Sequence, residues 1–394
     1  MRTILTGLAA AFLLTGPALA TDRAELSAQI ERLASDYLAT RGEAEHISGV
    51  SISLSLPGDP ANLNVAVGTL SRDGGAGPMT PDTLFQIGSI TKSMTAAVLL
   101  QLQTEGRLGL DDTLAIHLPE YPAWKDVTLR HLLTMTSGIA SYDTAPAMIA
   151  DNTKHGLTRH YSPAVLAGFV DPAYPGTPAP TSGYDYSNTN YILAGMVIER
   201  ITGEPLAKVF NARLFGPAHG LTDTYYSAGP YWDELVARMP AGYNWQPGEA
   251  DMAPLLGKDV KAQDMSWGGA AGAAIATPEQ VTRWARALYQ SDLLTDAARA
   301  ELMDVVSMKT GQPIGKPSAA DPAGFGLGVM GFHSPLLGQG WQYEGGTMGF
   351  RVVYVWLPGP DIVVAVGLNS NVNEDNDHIG TLAAAILQAA MATP

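Results

Sequence analysis

The sequence predicts an α/β plus all-α protein: an antiparallel sheet built from both chain ends and flanked by helices, with a helical region inserted between them. Three features point there. Strand-like runs lie near the start of the chain, at 49 to 57 ("GVSISLSLP") and 62 to 70 ("NLNVAVGTL"). A second pair lies near its end, "FRVVYVWL" at 350 to 357 and "DIVVAVGLN" at 361 to 369. Between them, from Ser89 to about 260, strand signals are sparse and apolar residues recur with helical spacing.

The first twenty residues carry an early Arg2, an apolar run from Ile4 to Leu14, Pro17, and small residues at Ala18 and Ala20. This is the layout of a secretory signal peptide cleaved after Ala20, with an apolar run too short to span a bilayer. From Asp22 to Arg41, Leu26, Ile30, Leu33 and Leu38 fall among charges with amphipathic helical spacing. The two strands that follow are joined by Gly58-Asp59-Pro60 turn chemistry, so a helix is expected to lie on a hairpin.

Helical periodicity marks 91 to 105, 163 to 170, 190 to 201 and 205 to 214. The stretch "DPAYPGTPAPTSGYDYSN" at 171 to 188 is too rich in proline for a helix and too aromatic for a linker, and reads as an ordered loop. "GGAAGAAIATPEQVTRWARALY" at 268 to 289 reads as a small-residue strand running into a helix at Pro278. The last hairpin turns at Pro358-Gly359-Pro360, and its unbroken apolar strands imply burial on both faces. A closing helix is expected from about Asp375 to Met391. The expected division is therefore a signal peptide over 1–20, an α/β domain from 21–88 and 268–394, and a mainly helical domain over 89–267.

Composition narrows the function. The chain has 394 residues, 46% hydrophobic and only 15% charged, which is globular rather than disordered. Its formal charge of −15 becomes −16 once Arg2 is removed with the signal, and an acidic surface repels phosphate backbones and anionic lipid heads. A small-molecule substrate is expected, with no nucleic-acid partner and no membrane span after signal cleavage. Cysteine is absent, which excludes disulfides and thiol chemistry. No zinc-protease helix motif occurs, and His155 and His160 are five apart, off one helical face. No metal and no cofactor are expected. G-x-S-x-G and phosphate-cradling loops are missing too.

The chemistry centres on "GSITKSM", where Lys92 follows Ser89 by three positions at a helix start. Residues three apart share a helical face, so the amine can reach the hydroxyl. Burial disfavours the charged form of a lysine and makes it a usable base. The pair can thus be a nucleophile and its base, with helix-start N–H groups available to an oxyanion. Alone it reads first as an N-cap serine and a solvated lysine. A second feature is "YDYSNTNYILAG" at 184 to 195, where Tyr186 is a phenol able to relay a proton and Asn188 an amide able to orient a carbonyl, or else a loop anchor and a cap. A third is "YEGGTMGFR" at 343 to 351, where Gly345 and Gly346 permit a strand edge to approach a ligand, or else form a bulge.

In this order and at these separations the chain resembles the serine β-lactamase and penicillin-binding superfamily, in its branch of class C β-lactamases, D-alanyl-D-alanine carboxypeptidases and β-lactamase-like esterases. The matching segments are "FQIGSITKSMTA" (85 to 96), "LLTMTSGI" (132 to 139), "YSNTNYILAG" (186 to 195), "AAGAAIATPEQVTRWARAL" (270 to 288) and "YEGGTMGF" (343 to 350). The resemblance implies a β-lactamase/transpeptidase-like fold and a serine hydrolase. It makes Ser89 the acylated nucleophile, with Lys92 and Tyr186 a coupled proton-transfer pair. It has Asn188 steady Lys92 and the substrate amide, and gives the oxyanion the backbone N–H groups of Ser89 and Gly346.

The third motif departs from the family's Lys-Thr-Gly or His-x-Gly, reading Tyr343-Glu344-Gly345. The usual cation and hydroxyl help hold a substrate carboxylate. Two like charges about 4 Å apart at an effective dielectric of about 20 cost roughly 4 kcal/mol, about a thousandfold in binding. A carboxylate-bearing substrate therefore fits poorly unless Arg351 or another cation turns in. Tyr343 is expected to form an aromatic wall for an apolar group, and Glu344 either attracts a substrate amine or points away. The expected function is an exported (periplasmic or extracellular) hydrolase of esters or amides, of carboxylesterase type first. A D-alanyl carboxypeptidase or class C-like β-lactamase is the alternative, and a penicillin-binding sensor that does not turn over is a further one.

Overall fold

In the computed structural model, residues 17–172, 182–246 and 250–393 are described. Most of the expected signal peptide and the centre of the 171 to 188 loop lie outside them.

The expected N-terminal helix is present and longer than its periodicity suggested, Pro17–Arg41 (α1). Gly49–Ser55 (β1) and Leu63–Gly68 (β2) form the expected hairpin. A single turn of 3-10 helix, Gly88–Ile90, runs directly into Thr91–Thr104 (α2). Asn188–Thr202 (α3) follows the described end of the proline-rich loop. The small-residue run corrects the sequence reading: Gly269–Gly272 (α4) is a helical turn, and the strand is confined to Ala274–Ala276 before Pro278–Gln290 (α5). With almost no side chains to pack as a strand, this segment instead wraps its backbone against α2, whose buried Lys92 and Thr95 bond the carbonyls of Ala271 and Ala270.

The remaining strands are Val305–Ser307 (β3), Pro313–Gly315 (β4), Ala323–Phe325 (β5), Met330–Ser334 (β6), Gly338–Gly346 (β7), Arg351–Leu357 (β8) and Ile362–Leu368 (β9). The closing helix is Ile379–Ala392 (α6). One nine-stranded sheet runs in the order β2-β1-β9-β8-β7-β6-β5-β3-β4, antiparallel at every pairing. Strands from both chain ends meet where β1 pairs β9, with Ile52 opposite Val366.

Side chains alternate across this sheet. On one face Ile52, Val353, Val355, Val364 and Val366 pack under α1 and α6. On the other, Val352, Tyr354, Val363 and Ala365 join the larger core with α2 and α5. Both central strands β8 and β9 are buried throughout, as their unbroken apolar sequences require. Short strands also occur inside the middle of the chain: Phe85–Gln86 and Thr224–Tyr226 flank Ala274–Ala276 in a small sheet. That sheet holds the segment entering Ser89 beside α4. Among the described residues no helix is long and apolar enough to cross a membrane.

Candidate active site

Ser89 sits on the turn that starts α2, pressed against the end of β7. Gly88 has φ +48, and a Cβ there would stand 2.6 Å from the carbonyl oxygen of Gly346. A Cβ on Gly345 would stand 1.9 Å from the carbonyl oxygen of Ile87 and 2.8 Å from the amide nitrogen of Ser89. Only glycine at both places lets the two backbones meet so closely.

Lys92 lies one turn along, wholly buried. Its Nζ donates to Ser89 Oγ at 2.9 Å and to the carbonyl of Ala271 at 2.9 Å. Tyr186, 37% exposed, reaches in from the loop before α3 and its hydroxyl donates to the same Oγ at 2.8 Å. Lys92 Nζ also stands 4.9 Å from the centre of the Tyr186 ring and 5.7 Å from that of Tyr191. The amine and the phenol, which the sequence put in separate motifs, therefore converge on the Ser89 oxygen.

The Tyr186 loop is fixed from below by the segment around 135 to 143. Asp185 N–H donates to the carbonyl of Met135, Asn188 N–H to Ser141 Oγ, and Thr189 Oγ1 to the carbonyl of Ala140. Ser137 Oγ donates to Asn190 Oδ1 at 2.7 Å. "LLTMTSGI" is thus the seat of the phenol, not a chemical group itself.

Asn188 departs from the expected role. Its side-chain amide donates to Asp143 Oδ2 at 2.8 Å, and the amine of Lys92 is held by Ala271 instead. Neither Ala271 nor Asp143 was singled out from the sequence. The first acts through its backbone, and the second had no motif around it.

Tyr343 also departs from expectation. It is 2% exposed, so it is no wall for a substrate. Its hydroxyl lies 3.2 Å from that of Tyr186, and its ring meets Phe325 edge-on. Burial, with the neighbouring Tyr186 second, raises its pKa well above that of an ordinary phenol, so it stays protonated. Strand alternation puts Glu344 on the opposite face, where it lines a cavity of about 960 Å3 with Asp143, Asn188, Trp267, Gly346 and Thr347.

Arg351, the cation named from the sequence as an offset to Glu344, is 1% exposed and committed elsewhere. It pairs with Glu45 and Asp377 and bonds the carbonyl of Ser370. Among the described lining residues there is no lysine, while Asp143, Glu344 and Asp377 all contribute carboxylates.

Ser89 and Gly346, expected as oxyanion donors, stand where the turn starting α2 meets the end of β7. Ser89 N–H lies in the first turn of its helix, where backbone donors have no intrahelical acceptor. Across the β7–β8 ladder, Thr347 N–H bonds the carbonyl of Phe350, and Gly346 faces Arg351 one step along. Ladder bonds alternate, so Gly346 N–H points away from β8, toward the Ser89 turn.

Residues 32–388 match the family model described as Beta-lactamase. Penicillin-binding protein 4* of Bacillus subtilis (strain 168) is 25% identical over 286 residues, 71% of this chain and 59% of that one. The chain spans about half the length of the curated relatives it matches. A D-stereospecific amidohydrolase from Streptomyces sp. superposes with a TM-score of 0.68 at 27% identity, covering 86% of this chain and 94% of that chain. The D-amino acid amidase from Ochrobactrum anthropi SV3, complexed with L-phenylalanine amide, superposes with a TM-score of 0.75 at 23% identity, covering 93% and 99%.

Proposed function

The chain belongs to the Beta-lactamase family, within the serine β-lactamase and penicillin-binding superfamily, and from that premise we propose that it hydrolyses ester or amide bonds through an acyl-enzyme on Ser89. The carrying observation is that Ser89 Oγ accepts hydrogen bonds from both Lys92 Nζ and Tyr186 OH. Lys92, coupled to Tyr186, takes the Ser89 proton while Oγ bonds to the carbonyl carbon. The N–H groups of Ser89 and Gly346 receive the oxyanion. When the tetrahedral intermediate collapses, the leaving group takes the Tyr186 proton, and the phenolate recovers one from the Lys92 ammonium. Water then attacks the ester with the same groups in reverse roles.

Substrate choice follows from charge. Asp143, Glu344 and Asp377 line the cavity that Asn188 and Gly346 share, and Arg351 there is already paired with Glu45 and Asp377, so a carboxylate entering that cavity is disfavoured. Carboxylesterase-type turnover of neutral substrates fits best, and an acyl group bearing a free amine suits the same acceptors. Phenylalanine amide, bound by the Ochrobactrum amidase, is a compound of that kind. An exported enzyme is supported by the signal-peptide-like layout of the first twenty residues.

The test is a side-by-side assay of the protein and Ser89→Ala against a short-chain p-nitrophenyl ester, phenylalanine amide, a chromogenic cephalosporin and a D-alanyl peptide. Serine-dependent ester or amide hydrolysis, with the carboxylate-bearing compounds slower by about a thousandfold, is the expected result. Fast cephalosporin or D-alanyl peptide turnover without ester hydrolysis overturns the substrate assignment. A penicillin adduct lasting hours with no turnover of any substrate marks a sensor instead.

A further inference from the structure

Tyr343 stands where related chains carry a cation, yet it touches no open space. Among the described residues, its hydroxyl meets the catalytic groups through Tyr186. Tyr186 OH donates to Ser89 Oγ at 2.8 Å, which spends the Tyr186 proton in that direction. The 3.2 Å contact between the two phenols is therefore made by Tyr343 O–H donating to the Tyr186 oxygen. Phe325 packs edge-on against both rings, at 5.8 Å from that of Tyr343 and 6.2 Å from that of Tyr186, and holds the pair at this spacing.

We infer that Tyr343 is a positioning residue that aims the Tyr186 phenol at Ser89 and supplies the hydrogen bond that steadies the phenolate formed when Tyr186 protonates the leaving group. The inference rests on the acyl-enzyme reading above. During collapse of the intermediate the bond from carbon to the leaving group breaks, the leaving atom takes the Tyr186 proton, and negative charge falls on the Tyr186 oxygen. A donor already fixed at that oxygen needs no reorganisation. The Tyr343 hydroxyl keeps its own proton throughout, because its buried surroundings disfavour a second phenolate.

This gives Tyr343 a signature that a packing role lacks. Its contribution grows with the need of the leaving group for a proton. Nitrophenolate departs without one, an alkoxide needs one, and an amine needs one most.

The experiment compares kcat/KM of the protein and Tyr343→Phe for a series sharing one acyl group: p-nitrophenyl ester, phenyl ester, alkyl ester and amide. Loss of one buried hydrogen bond to a developing charge corresponds to about tenfold. Tyr343→Phe is expected to stay within about threefold on the nitrophenyl ester and to fall about tenfold or more on the alkyl ester and amide. Tyr343→His, which restores an N–H donor, is expected to recover part of the loss on the alkyl ester and the amide. An equal loss across the series, or none on the amide, overturns the inference. The underlying reading fails separately, if Ser89→Ala keeps its activity on the nitrophenyl ester. Thermal melting of both Tyr343 variants identifies any general loosening, which would lower the whole series together and so count against the inference.

Discussion

α2 and α6 are both 14-residue helices packed on the sheet, and they are buried in opposite styles. α6 buries Ile379, Leu382, Ala383, Ile386, Leu387, Ala389 and Ala390 and no polar side chain. α2 buries Thr91, Lys92, Ser93 and Thr95 in its first five residues. Each of these has a partner. Thr91 Oγ1 accepts from Ala274 N–H, Ser93 Oγ donates to the carbonyl of Ile90 and accepts from Trp284 Nε1, and Lys92 and Thr95 donate to the carbonyls of Ala271 and Ala270. Burying a polar group costs little only when its bonds are made, and here the backbone around α4 makes three of the four. One helix carries stability and the other trades some of it for a positioned amine.

That contrast can be broken by substitution. The largest effect is expected from Lys92→Met, which keeps the side chain's length and removes the amine. Turnover should fall by about 10³-fold, within the usual range for a lost general base, while the melting temperature moves by a few degrees at most. Steady-state kinetics and calorimetry on the same sample read both. Gly345→Ala comes next. Its Cβ has no room beside the carbonyl of Ile87, so β7 and the Ser89 turn must part, and kcat should fall by about 10²-fold as the oxyanion donors separate. Ile386→Ala on α6 should do the reverse, costing about 2 to 5 kcal/mol in denaturant unfolding with kcat per folded molecule unchanged. The smallest is Thr95→Val, which leaves the Ala270 carbonyl without its side-chain donor and should cost about 1 to 2 kcal/mol. If Ile386→Ala lowered kcat as much as Lys92→Met, the division between the two helices would be wrong.

The same contrast explains what could be read from the sequence. The hairpin of β8 and β9 was legible because unbroken Val and Ile runs have few other homes than a doubly covered strand. Ser89 and Lys92 were legible because both groups lie within one helical turn, where spacing alone fixes their distance. The carbonyl of Ala271 was not, since a run of glycine and alanine carries no chemical mark, and its helical turn is set by packing against α2. Tyr343 was placed on the correct side of its strand but read as an exposed wall, because its burial under Tyr186 and Phe325 depends on how the end of β7 docks. That docking includes the contact of Gly345 with Ile87, 258 residues earlier in the chain. Asn188 was given to Lys92 because nothing local announces Asp143 as its partner. β3 to β6 are three to five residues long, too short for alternation to stand out from loops.

The most direct measurement is intact-protein and peptide mass spectrometry on acid-quenched mixtures with a p-nitrophenyl ester. One acyl group per chain is expected, mapped to Ser89, formed within the turnover time by the unmodified protein and far more slowly by Lys92→Met. An acyl group on any other residue, or equal labelling of Ser89→Ala, would contradict the account.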